Sequence, residues 1–213
     1  MVILSTALSP FLKFPEENIT RKRPTIWDKP GFRMAIYTFI VYSFPTSLII
    51  SFRGIFAVDQ FHALYSLVTI LSALFLTSSF MTRIIISSMN VGELWPYIVA
   101  LMVISLTRLF IIFMSSNIAI YTIGLVILGI PHGLGLPVAT YPIGRSFPAS
   151  DRNVANSYFT STMMSTNIII PLFGGAALEY IGLRLLMMCL IPVVVVLLYL
   201  TIRLVKSIPN SSS

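Results

Sequence analysis

The chain has 213 residues, of which 56% are apolar and only 10% charged, and its mean hydropathy is +0.91. A soluble domain carries about 25% charged residues, so this composition excludes a water-soluble fold and indicates an integral membrane protein. In that class the net charge of +7 marks cytoplasmic loops and not a nucleic-acid surface.

Uncharged intervals give the expected membrane spans. They run over residues 34–52, 60–82, 94–107, 109–144, 153–178 and 185–202. The 36-residue interval 109–144 is too long for one crossing, and it breaks at the polar turn Ser115-Ser116-Asn117. The reading is six helices, at about 33–52, 61–86, 94–114, 118–141, 154–177 and 184–204. Backbone groups in lipid must be satisfied within the segment, which favours helices over strands, and no two-residue alternation suggests a barrel. The expected fold class is therefore an all-α polytopic membrane protein with six transmembrane helices.

Before the first span lies a cytoplasmic segment, residues 1–32. Met1–Leu12 is apolar but too short to cross. It reads either as an interfacial terminus or as the tail of an upstream helix, with Lys13–Lys29 as a charged linker. The bundle is expected at 33–206 and a polar tail at 207–213. Eleven of the fourteen basic residues fall on one side of this topology. Arg53 and Arg184 fall on the other, and Arg108 lies within a span. Basic residues accumulate in the cytoplasm, so both termini are expected there, in a cell membrane.

The second helix carries Tyr65, Thr69, Ser72, Ser79 and Arg83 on one face. The fifth carries Asn153, Asn156, Thr160, Met163 and Asn167 on another. Such polar stripes point either at neighbouring helices, through hydrogen bonds, or at a water-filled path. His132 lies mid-span in helix four and reads as a packed, hydrogen-bonded histidine or as a substrate contact. Arg83 is the stripe residue best placed for an anionic substrate or a gate. Arg108, near the end of helix three, reads as an arginine snorkelling to the interface. Cys189, the single cysteine, reads as a small packed hydrophobe. Two histidines and one cysteine are too few for a dense metal site, and no cofactor is expected.

Helix four is rich in residues that bend a helix or admit a neighbour: Gly124, Gly129, Pro131, Gly133, Gly135, Pro137 and Pro142. Gly129 and Gly133 form a small-xxx-small pair. A loop with Pro148 and Asp151-Arg152 follows, then a helix ending with Pro171, Gly174 and Gly175, then the turn Gly182-Leu183-Arg184. On these motifs the chain resembles the C-terminal six-helix half (helices 7–12) of a major facilitator superfamily transporter. The loop Thr82–Glu93 departs from that family's pattern, because the Asp-Arg pair is absent.

The resemblance implies that helices one, two, four and five face a central cavity. It also implies that a small solute is carried by alternating access, with Gly129, Gly133, Pro137, Pro171, Gly174 and Gly175 serving packing and gating. One six-helix bundle needs a second to rock against, so the expected partners are the bilayer, a small-molecule solute and a second half, either an N-terminal half or another copy. No nucleic acid is expected. The alternatives are a non-transporting membrane scaffold or an intramembrane protease. The latter lacks a Gly-x-Ser-x-Gly-like nucleophile turn, and no phosphate-binding loop supports an ATP-driven pump.

Overall fold

The computed structural model describes residues 26–88 and 95–205. The readings of Met1–Leu12, of most of the linker to Lys29, of Met89–Glu93 and of the 207–213 tail lie outside the described residues. Within them the chain is helical, with a short 3-10 turn at Ile26–Asp28 and five long helices: α1 Pro30–Phe61, α2 Tyr65–Ser88, α3 Trp95–Phe113, α4 Ile118–Ser146 and α5 Ala149–Val205. All five are long and apolar enough to cross a membrane.

The boundaries follow local chemistry. Pro30 starts α1, where its missing N–H costs nothing. Arg33 ties the preceding turn down by donating from Nε to the Trp27 carbonyl at 2.8 Å and pairing with Asp28 at 3.8 Å. At the other end His62 takes a left-handed conformation, and the Ala63 N–H returns to the Ala57 carbonyl at 3.2 Å. α1 thus runs nine residues past the expected end at 52. Arg53 closed the uncharged interval but does not stop the helix. Its Nε donates to Ser72 Oγ at 3.0 Å and its guanidinium lies 5.8 Å from the Phe75 ring centre. The expected break at residues 115–117 falls between α3 and α4, where Asn117 caps α4 by accepting from the Ile120 N–H at 3.0 Å.

Five helices are found where six were expected. The expected fifth and sixth are joined in the 57-residue α5, whose only non-helical residue is Gly182, at φ 72° and ψ 162°. Residues 178–181, read as a linker, suit a helix. The turn is made by one glycine in a conformation that a side chain would oppose. Contacts show that the chain doubles back there. On the first leg Phe159 packs edge-on against Phe39, with ring centres 5.7 Å apart, and Gly174 meets Leu48. On the second leg Leu190, Val193 and Val194 face Ile40, Phe44 and Pro45 of the same helix.

α1 is the hub of the bundle. Phe32, Met34, Ala35, Phe39, Val41, Leu48 and Ile49 are all buried, and the helix packs against α4 and both legs of α5. α2 packs chiefly on α4 and is far less covered. That contact is close because of Gly129 and Gly133. A Cβ on Gly133 would sit 2.5 Å from the Ser79 carbonyl oxygen, and one on Gly129 would sit 2.7 Å from that of Phe75. Cys189 is exposed on the second leg of α5 and is not packed in the core.

Candidate functional site

Midway along α1, Ser43, Ser47 and Ser51 recur every four residues, with Thr46 three residues after Ser43, which places all four hydroxyls on one face. That face, with Tyr42, forms one wall of a cavity of about 360 Å³. Arg83 of α2, His132 and Leu136 of α4, and Met163, Asn167 and Pro171 of α5 complete it. A volume of this order matches a small-molecule pocket.

The wall is ordered by direct bonds. Ser43 and Ser47 both donate to Asn167 Oδ1, at 3.1 and 3.2 Å. No hydrogen bond from the Asn167 amide nitrogen is present among the described residues. The His132 ring lies 5.3 Å from that of Phe75, tilted by 44°. Gly135 leaves room for the Tyr42 ring, which its Cβ would strike. Phe39 is the lining residue nearest the Pro30 end of α1, and its ring packs edge-on against Phe159.

Behind this wall lies Arg108, and its placement corrects the snorkelling reading. The side chain is 0% exposed. Nη1 donates to Thr46 Oγ1 at 2.8 Å, and Nη2 donates to the Tyr42 carbonyl at 2.9 Å and the Val41 carbonyl at 3.4 Å. The cause lies in α1. Pro45 has no N–H, so the carbonyl four residues earlier, that of Val41, loses its helical donor. An unpaired carbonyl at this depth is costly. Arg108 reaches across from α3 and supplies hydrogen. The Thr46 hydroxyl in turn donates to the Tyr42 carbonyl. A proline break, a buried cation and the cavity wall are therefore one connected unit.

Of the residues read from the stripes, Arg83, Met163 and Asn167 meet at the cavity, together with His132 and Pro171. The others do not. Tyr65 and Thr69 are exposed at the far end of α2, and Ser72 is taken by Arg53. Ser79 is buried in the α2–α4 contact. Asn156 and Thr160 are exposed and lie outside the wall. One helix face keeps its direction but changes surroundings along its length, so a stripe overstates the lining. Gly174 and Gly175 pack on Leu48 and Phe52 of α1, and Pro137 is exposed beside the wall residue Leu136. The residues that stripe reasoning missed are those of α1 and Arg108. The Ser43–Ser47–Ser51 spacing was the available signal for α1. Arg108 had none except a proline on another helix.

A second, smaller cleft of about 310 Å³ lies at the Gly182 end, with Asp59, Gln60 and Arg184 on its walls. Arg184 donates from Nη2 to the Ser115 carbonyl and lies 5.9 Å from the Phe56 ring centre, which pins the α3–α4 turn to α1. Long apolar helices around a polar mid-length cavity define a multi-pass membrane protein with room for a small solute. A family model described as the Major Facilitator Superfamily matches residues 35–212. The chain belongs to that family, whose members are transporters and not enzymes. No curated protein and no solved structure matches it.

Proposed function

We propose that the chain forms one bundle of a transporter that moves a small solute by alternating access, with the cavity between α1, α2, α4 and α5 as its solute contact. In this reading α5 crosses the membrane twice. At 57 residues it is about 85 Å long, against about 30 Å of hydrocarbon, and Gly182 is where it turns. The crossings then number six. Both termini lie in the cytoplasm of a cell membrane, on the side that gathers the basic residues. A second six-helix bundle, from a partner or another copy, supplies the opposing wall, and the two rock about the site.

The observation that carries the proposal is the convergence of four elements on one cavity with polar side chains in its wall, midway along the bundle. Polar residues there are rare unless they face water or another helix. Removing Cys189 as Cys189→Ala leaves no cysteine, so single cysteines report on this cavity. A cysteine at Ser51 should react quickly with a membrane-impermeant thiol reagent. One at Leu172, exposed and outside the cavity wall, should react slowly. Equal rates at the two positions would remove the cavity from the solute path. Saturable flux from the chain reconstituted as a verified monomer would show that no second bundle is needed.

A further inference from the structure

Among the described residues the cavity has one guanidinium on its wall and another behind it, and no carboxylate. Arg83 stands on its wall, exposed, and no hydrogen bond or ion pair to it is present among the described residues. His132 faces the same space. Arg108 lies one side chain behind, joined to the wall through Thr46. The described carboxylates are Asp28, Asp59, Asp151 and Glu179, and none borders the cavity. Asp28 pairs with Arg33 in the turn before α1, and Asp59 belongs to the separate cleft at the other end of that helix. A guanidinium buried without a counter-charge is expensive in hydrocarbon. Low-permittivity walls carrying one sign of charge focus the field into the space they enclose. The neutral part of the wall also offers donors, since Ser43 and Ser47 hold Asn167 Oδ1 and no hydrogen bond from its amide nitrogen is present among the described residues.

We infer that the cavity selects an anionic solute, one bearing a carboxylate or phosphate group, with Arg83 as its direct partner and Arg108 as a fixed background charge. This rests on the cavity being a solute site. A neutral solute would find the hydroxyls but would leave both guanidiniums uncompensated. A cationic solute would meet no carboxylate among the described residues. Arg83 suits direct contact because it is exposed and has no hydrogen-bond or ion-pair partner among the described residues, and its planar fork matches an oxyanion group. Arg108 does not, because its donors are already committed to α1.

The test needs no identified ligand. In the full-length chain, Ser47→Cys in the Cys189→Ala background is treated with two methanethiosulfonates of similar size. One carries a sulfonate and the other a trimethylammonium group. Each rate is divided by that reagent's rate with free 2-mercaptoethanol. An anion-selective cavity gives an anion-to-cation ratio of about 10 or more, the scale set by a unit charge several ångströms away under an effective permittivity between those of protein and water. Arg83→Gln should lower the ratio severalfold, and Arg83→Lys should keep it. A ratio of about 1, with both reagents reacting, would leave the water-filled cavity standing and overturn the anion inference. If neither reagent reacts, the cavity does not open to water, and the proposed solute site falls with the inference. A high ratio unchanged by Arg83→Gln would overturn the assignment of Arg83.

Discussion

Replacing Arg108 tests whether a buried cation repairs the gap that Pro45 leaves in α1. Arg108→Met removes donors to Thr46 Oγ1 at 2.8 Å and to the Tyr42 carbonyl at 2.9 Å. Hydrogen bonds to a charged group contribute about 1.5–3 kcal/mol each, so the gross loss is about 3–6 kcal/mol. The 3.4 Å contact to Val41 is longer and weaker than these two, at about 1 kcal/mol. Methionine also removes a buried cation whose Nε has no partner, and this recovers about 2.5–3.5 kcal/mol at mid-membrane. For the two shorter bonds the net change therefore lies between a gain of about 0.5 kcal/mol and a loss of about 3.5 kcal/mol. A double-mutant cycle is sharper. Pro45→Ala restores an N–H aimed at the Val41 carbonyl. In the wild type that oxygen is already served by Arg108, whereas in Arg108→Met it has no donor. Pro45→Ala should therefore be more favourable in the Arg108→Met background than in the wild type by about 1 kcal/mol, within the usual range for residues sharing a network. Unfolding in mixed micelles, followed by circular dichroism, measures all four corners. Additivity to within about 0.3 kcal/mol would refute the link between the proline and the arginine.

Gly133→Ala should cost about 1–3 kcal/mol in the same unfolding assay, because its Cβ would meet the Ser79 carbonyl at 2.5 Å and Thr82 Cβ at 2.9 Å. Gly144→Ala on the same helix has open space around its Cβ and should be neutral or stabilising by up to about 1 kcal/mol; equal effects at the two glycines would contradict the close α2–α4 approach. Protease-sensitive tags fused at residues 1 and 213 should both be shielded in sealed cells, and external cleavage of either would reverse the proposed topology.

The membrane class, the helical content and most boundaries follow from composition and from charge-free length, since hydrocarbon admits few charges and no unpaired backbone. Arg83, His132 and Asn167 could be read as cavity candidates for the same reason: a polar group at that depth needs a polar neighbour or water. The sequence could not tell which stripe residues meet. Ser79 and Arg83 share a face one turn apart, yet one is pressed against Gly133 and the other opens on the cavity. Nor could it tell that residues 178–181 stay helical, since one left-handed glycine is enough to turn the chain. Arg108 shows the difference most clearly. Read along α3 it is a charge near a helix end, free to reach the interface. Only the packing of α3 on α1 brings it opposite the carbonyl that Pro45 leaves without a donor. A residue's partner across a bundle depends on how the helices dock, and no spacing within either helix encodes that.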